Sequence, residues 1–277
     1  MKKIYKHRSL ELTTKNKIIF TSFSKTTFYL RSAISAFVLN QGQTPISPFM
    51  NFDYNLSDLV DRNVIRIANN SLIQRCDELW VFNKVSDGVL TEIYLAKKIK
   101  KVIRYFSITS TAKDFKEINE SEIQLEDVSP WMWEWILNGK ELDRWHPRLR
   151  FNKSYLLVYP AYSKKNFYWQ MHISQFCLQK HYIPLNPFML FRYFLGDSIP
   201  RETVYLANNN IVRLCDELWA FGEISDGVLA EIQMKKEQNE KVKYYRISRS
   251  NPFTVHQTKP QRAVFEEKSL EDFRNLL

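Results

Sequence analysis

The chain has 277 residues with a formal net charge of +10 at pH 7, and 44% of its residues are hydrophobic. This composition excludes an intrinsically disordered chain and predicts globular domains with their own cores. Its cysteines give neither a disulfide framework nor metal-ligand spacing, and no apolar run is long enough for a membrane span. We therefore expect a cytoplasmic protein without a metal, a cofactor or membrane contact. Clustered lysines are typical of a solvated surface, which makes nucleic acid the least favoured partner.

An internal repeat organises the chain. A shift of 139 residues lays residues 18–108 onto residues 157–247 without a gap. A repeat of this length exceeds a solenoid unit and indicates two tandem domains. We predict copy one over residues 1–126, a connector over residues 127–152 and copy two over residues 153–277.

Both copies predict the same alternation of elements. In copy one these are a strand at 17–20, a helix at 28–39, a strand leading into a proline-fixed loop at 45–50, a helix at 62–74, a strand at 78–82, a helix after a Ser-Asp-Gly turn and a strand at 102–106. In copy two the equivalents lie at 155–159, 167–178, 184–189, 201–213, 217–221, after the second Ser-Asp-Gly turn and at 242–247. Such alternation predicts an α/β fold with two tandem Rossmann-like or flavodoxin-like domains whose sheets are mostly parallel. Ligands of these folds bind beyond the carboxyl ends of the strands.

The connector is rich in tryptophan. It contains Trp131, Trp133, Trp135 and Trp145, which are too many for a flexible linker. We expect a helix that packs against one or both domains. A partner-docking surface is the alternative, because aromatic clusters are also enriched at interfaces.

A polar turn and a glutamate recur in both copies. They are Ser86-Asp87-Gly88 followed by Glu92, and Ser225-Asp226-Gly227 followed by Glu231. Glycine and glutamate four residues apart share one helical face, so the missing side chain leaves room for a ligand beside the carboxylate. Helix-start amides favour an anion, and the carboxylate can act as nucleophile, base or stabiliser of an oxocarbenium ion. An ordinary N-cap with a dipole-pairing glutamate is the other interpretation, and the recurrence favours a site.

This motif resembles a known family. The spacing Ser-x-Gly-Val-x-x-Glu after an apolar strand is similar to the nucleoside 2-deoxyribosyltransferase superfamily, especially its 2'-deoxynucleoside 5'-monophosphate N-glycosidase branch. The resemblance implies that Glu92 and Glu231 attack the anomeric carbon. It also makes Ser86 and Ser225 contacts to the phosphate or sugar. With these serines, Asp87, Gly88, Asp226 and Gly227 of the recurrent turns are predicted to bind the substrate. The chain departs from the family's glycine-rich first loop, which here contains lysines.

The resemblance also concerns an aromatic residue of the first loop. Phe23 and Tyr162 fall where the family places a tyrosine near the nucleophile, and only Tyr162 carries the hydroxyl. Family members complete a site with residues of a neighbouring subunit, which implies self-association or an internal pseudo-dimer here. Glu126 and Glu266 are the residues expected to reach across.

Two functions fit these observations. One is an N-glycosidic bond hydrolase or transferase that acts on a nucleotide-like substrate through a glutamate. The other is a protein that binds or senses a nucleotide derivative in the same pocket without turnover. Asn69-Asn70 and Asn208-Asn209 recur inside a predicted helix, where asparagine is not favoured, and are expected to contact a ligand or partner.

Overall fold

A computed structural model describes residues 4–109, 111, 113–141, 145–248 and 253–277. The chain divides into two compact units. The first unit contains residues 16–155 together with 194–199. The second unit contains the described residues of 4–15, 156–193 and 200–277. The N-terminal arm, expected at the head of copy one, therefore belongs to the unit of copy two, and the connector belongs to the unit of copy one.

The first unit is built on a five-stranded sheet. Its elements are β1 Ile18–Phe23, α1 Arg31–Asn40, β2 Thr44–Ile46, α2 Pro48–Asn51, α3 Asp53–Leu59, α4 Arg62–Arg75, β3 Glu78–Phe82, β4 Lys84–Val85, α5 Asp87–Lys98, β5 Val102–Ile108, β6 Phe115–Ile118, β7 Gln124–Leu125 and α6 Pro130–Leu137. Short 3-10 helices lie at Lys25–Leu30, Glu120–Glu122 and Pro147–Arg150. Within the described residues the strand order is β2-β1-β3-β5-β6, and β4 pairs separately with β7. Among the described strands of the large sheet, β6 alone runs antiparallel.

The second unit repeats this architecture. After a 3-10 helix at Arg8–Glu11, its elements are β8 Leu156–Tyr162, α7 Gln170–Gln179, β9 Tyr182–Pro184, α8 Pro187–Leu190, α10 Arg201–Leu214, β10 Glu217–Phe221, α11 Asp226–Glu237, β11 Lys241–Ser248 and β12 Thr254–Thr258. The helix α9 Arg192–Ser198 begins in this unit, and its residues from 194 onward belong to the first unit. Further 3-10 helices lie at Lys164–Trp169, Pro260–Arg262 and Lys268–Leu276. The sheet order over the described residues is β12-β11-β10-β8-β9, with β12 antiparallel.

The predicted fold class is confirmed, since both sheets are mostly parallel and alternate with helices. Two details differ from the sequence-based expectation. Pro45 and Pro184 lie in edge strands rather than in loops, a position that tolerates proline because no ladder partner needs its missing N–H. The antiparallel strands β6 and β12 were not expected. No helix in the described ranges has both the length and the apolar character needed to cross a bilayer.

Some residues of the repeat have the same structural role in both copies. The carboxylate of Asp77 accepts a hydrogen bond from the Ile18 amide at 2.7 Å, and that of Asp216 accepts one from the Leu157 amide at the same distance. Each bond ties the start of a central strand to its neighbour. The next residue in each copy is a glutamate that accepts from an indole N–H, Glu78 from Trp80 at 2.8 Å and Glu217 from Trp219 at 2.6 Å.

Candidate functional site

The recurrent glutamate of copy one lies at the carboxyl edge of its sheet. Ser86 precedes α5, and Glu92 projects from the second turn of that helix. The Ser22 hydroxyl, on β1, donates to Glu92 Oε2 at 2.5 Å. The helix and the strand therefore meet where the parallel fold predicts a ligand site.

A buried arginine holds the same carboxylate. Arg148 Nη1 lies 2.7 Å from Glu92 Oε1, and the two side chains are only 7% and 11% exposed. Arg148 Nε donates to Asn70 Oδ1 at 3.1 Å, and Asn70 Nδ2 donates to the Arg148 carbonyl at 2.9 Å. The arrangement pairs the charge of Glu92 and fixes the arginine through α4.

A cavity of about 280 Å³ opens beside this ion pair. Phe23, Phe49 and Phe52 contribute apolar surface to its lining, and Ser86, Asp87, Gly88 and Glu92 also line it. Three buried polar atoms of its lining residues have no hydrogen-bond partner among the described residues, namely Thr21 Oγ1, Asn69 Oδ1 and Arg148 Nη2. Buried polar groups are normally satisfied, so these atoms mark where water or a ligand completes the site.

The start of α5 is capped by a residue outside the motif. The Asp127 carboxylate accepts from the Asp87 amide at 2.9 Å, and the Ser86 side chain makes no capping bond. Ser86 is therefore not an ordinary N-cap and faces the cavity. A Cβ added to Gly88 would meet no atom within 4 Å, so the glycine leaves open space beside Glu92.

In copy two, the equivalent glutamate has different partners. Glu231 Oε1 accepts from the Tyr159 hydroxyl at 2.6 Å and from Asn208 Nδ2 at 3.1 Å. Tyr159 replaces Phe20, and Ala161 stands at the position of Ser22. Burial raises the pKa of Glu231 to about 7, against the opposing effect of the two hydrogen bonds.

The N-terminal arm approaches the Ser-Asp-Gly turn of copy two. The Tyr5 hydroxyl lies 2.7 Å from Asp226 Oδ1 and 2.6 Å from the Asp226 carbonyl oxygen. His7 Nε2 lies 3.7 Å from the same carboxylate. Ser225 accepts from the Val228 amide at 3.5 Å, so here the serine does act as an N-cap. A Cβ on Gly227 would again meet open space.

The first-loop aromatics differ between the copies. Phe23 packs against Phe49, with ring centroids 5.0 Å apart, and lines the cavity. The Tyr162 hydroxyl donates to Asn186 Oδ1 at 2.8 Å. The tyrosine that touches Glu231 is Tyr159, three residues earlier on β8.

Glu126 and Glu266 lie in the sites of their own copies. Glu126 lines the cavity of copy one. Glu266 accepts from Ser163 Oγ at 2.5 Å and lies 2.7 Å from Lys165 Nζ, both on the first loop of copy two. The main chain places them there, since Glu126 N donates to Val85 O and Glu266 N donates to Ile224 O, both at 2.9 Å.

Sequence reasoning missed Arg148, although a signal was present. His7 and His146 are 139 residues apart, so the repeat extends upstream of residue 18. Each histidine caps a 3-10 helix by accepting a backbone N–H at 3.2 Å, from Ser9 and Arg148 respectively. Burial and the neighbouring Arg148 lower the pKa of His146. The same shift of 139 aligns Ser9 with Arg148.

The connector forms α6, as expected, and packs within the first unit. Trp133 is buried against Tyr105. Trp131 and Trp135 are exposed and contact each other edge to face. Within the described ranges, no three His, Cys, Asp or Glu side chains form a group that could hold a metal ion.

Comparison with known proteins gives a family match. A family model described as "Domain of unknown function (DUF7768)" matches residues 24–106 and 158–245, together more than half of the chain. A search of curated proteins with this chain gives no match. Among solved structures, the chain is similar to a Listeria monocytogenes protein that carries the name UDP-N-acetylglucosamine 2-epimerase. The identity is 10%, the match covers 80% of this chain and 78% of that chain, and the TM-score is 0.25. At this TM-score the likeness carries no argument about fold or function.

Proposed function

The chain belongs to the DUF7768 family through both of its copies, and from the geometry of its sites we propose that it cleaves the N-glycosidic bond of a nucleotide-like small molecule through Glu231. The observation that carries this proposal is the setting of the Glu231 carboxylate. It lies at the carboxyl edge of a parallel sheet, receives two hydrogen bonds from neutral donors and has a pKa of about 7. A carboxylate of raised pKa is a stronger base and nucleophile than a solvated one.

The chemistry follows from this carboxylate. An oxygen of ionised Glu231 bonds to the anomeric carbon while the carbon–nitrogen bond breaks, and the base leaves with the bonding electron pair and takes a proton from water. A water molecule then attacks the anomeric carbon, loses a proton and releases the sugar and the carboxylate. In a transferase a second base replaces this water. Tyr159 and Asn208 would hold the carboxylate in position at each stage.

The nucleotide-like substrate is supported by the cavity of copy one. Its volume is about 280 Å³, close to the lower end of small-molecule sites. The aromatic rings of its lining suit a planar base, and its hydrogen-bonding groups suit a sugar. The resemblance of the Ser-x-Gly turn to N-glycosidases points to the same class.

A second function, binding without turnover, is favoured for copy one. The observation behind it is the buried pair of Glu92 with Arg148. A carboxylate whose charge is matched by a guanidinium at 2.7 Å is a poor nucleophile and stabilises a developing cation weakly. The cavity around it still offers unpartnered polar atoms to a ligand.

One experiment tests both functions. The full chain is incubated with the four common 2'-deoxynucleoside 5'-monophosphates and with the matching nucleosides, and free base is measured by chromatography. We expect base release that falls by about 100-fold or more in Glu231→Gln and persists in Glu92→Gln. Thermal stabilisation by the same compounds in Glu231→Gln that falls when Gly88→Ala is added would report binding by copy one. Undiminished release in folded Glu231→Gln contradicts the role of Glu231.

A further inference from the structure

Two short segments occupy equivalent places in the two units. We call residues 4–15 the first strap and residues 145–155 the second strap; they belong to the second and first unit respectively. Asn70 Nδ2 donates to the carbonyl of Arg148 at 2.9 Å, and Asn209 Nδ2 donates to the carbonyl of Ser9 at 2.6 Å. The structural equivalence of Ser9 and Arg148 therefore agrees with their spacing in the sequence.

The strap residue at this position makes different side-chain contacts with the equivalent asparagine in the two copies. In copy one, Asn70 Oδ1 accepts from Arg148 Nε at 3.1 Å. In copy two the equivalent atom, Asn209 Oδ1, is buried and has no hydrogen-bond partner among the described residues. Ser9 is too short to make the contacts that Arg148 makes. Copy two thus keeps the acceptor for a strap arginine but lacks the arginine.

We propose that this strap position determines which copy reacts, because Arg148 neutralises Glu92 and commits copy one to binding, while Ser9 leaves Glu231 free to attack. The inference rests on the proposed function. It makes Arg148 and Ser9 positioning residues that act through the glutamate.

The surroundings of Glu231 agree with this assignment. Tyr159 from β8 and Asn208 from α10 donate to its carboxylate, and the negative charge of Glu231 contributes to raising the pKa of Tyr5 and of Tyr162. All four are neutral near pH 7, because burial raises the pKa of each tyrosine further. Because position 9 is the counterpart of position 148, an arginine there is expected to bring a positive charge to Glu231 as Arg148 does to Glu92. The other titratable groups at this helix start are Asp226 and His7, which lie 3.7 Å apart.

The first arm of the test places that cation. In Ser9→Arg of the full chain we expect base release to fall by about 100-fold. An NMR titration of the Glu231 carboxyl should shift downward by about one pH unit or more, because a guanidinium favours the ionised form. Ser9→Met, of similar bulk without charge, should keep the parent titration and most of the release.

The second arm removes the cation from copy one. Arg148→Ser is combined with Glu231→Gln, so that any release comes from Glu92. We expect release to reappear above the level of Glu231→Gln alone, and to vanish again when Glu92→Gln is added. If Arg148→Ser does not fold, the Ser9 variants decide the matter alone.

The outcomes separate the two proposals. If the parent releases no base, the proposed function fails, and the Glu231 titration in Ser9→Arg still decides whether the strap sets the charge of the glutamate. If the parent is active and Ser9→Arg keeps its release and titration, the inference is overturned. Equal losses in Ser9→Arg and Ser9→Met also overturn it, since bulk and not charge would then be responsible.

Discussion

Glu92 and Glu231 stand at the same point of two equivalent folds and have opposite surroundings. Glu92 is paired with a buried guanidinium and bonded by a serine hydroxyl. Glu231 is bonded by a tyrosine and an asparagine, and its pKa is raised to about 7. Three exchanges explain the contrast, and they are Phe20 for Tyr159, Ser22 for Ala161 and Arg148 for Ser9. Duplication kept the backbone geometry of the site, while the charge around its carboxylate diverged.

The largest expected effect comes from breaking the buried pair of copy one. Arg148→Met leaves the carboxylate of Glu92 buried without its cation, which typically costs about 3 to 5 kcal/mol. Urea unfolding of the full chain should show this loss in the transition of the first unit. Arg150→Met, an exposed neighbour, is the matched control and should change little. Adding Glu92→Gln to Arg148→Met should recover part of the loss; no recovery would mean that the arginine acts by packing alone.

The next largest effect is the pH dependence of stability that follows from the raised pKa of Glu231. The folded-state pKa of Glu231, about 7, lies above that of a glutamate in an unfolded chain, so the native state binds the extra proton. Its contribution to stability is fully present below the unfolded pKa and is lost as pH rises through about 7. We expect Glu231→Gln to be more stable than the parent by about 1 to 3 kcal/mol near pH 8, and by much less near pH 4. Urea midpoints at both pH values measure it, and an equal difference at both would contradict the shift.

A smaller effect is expected from a substitution that removes one hydroxyl group from copy two and so makes it resemble copy one at that atom. Tyr159→Phe removes the hydroxyl that stabilises ionised Glu231, so the pKa of this carboxyl should rise further above 7. The pH midpoint of base release should then move upward by about one unit. Tyr244→Phe removes a hydroxyl bonded to the Leu277 carbonyl and serves as the control. An unchanged pH profile would show that the Tyr159 bond does not tune the carboxylate.

The internal repeat of the sequence predicts the features that the two copies share, and it misses the residues by which they differ. The strand at 78–82 and the Ser-Asp-Gly turn could be predicted because pattern and repeat agree there. The strands β6 and β12 could not, because they are short and lie at edges where little apolar pattern is required. Arg148 lies 56 residues from Glu92 and has serine at the equivalent position, so a search for identical residues passes over it. The difference in function that we propose between the copies depends on a position where their residues differ.

The smallest effect tests why both copies keep glycine beside the glutamate. Gly88 and Gly227 lie inside the first turn of a helix, where alanine is usually more stable by about 0.5 to 1 kcal/mol, and a Cβ at either would meet open space. We therefore expect Gly88→Ala and Gly227→Ala to raise the unfolding midpoint slightly. Because the added methyl group enters the ligand's space, Gly88→Ala should weaken thermal stabilisation by deoxynucleotides in a Glu231→Gln background, and Gly227→Ala should reduce base release. Improved stability with unchanged binding and release would assign the glycines to neither site.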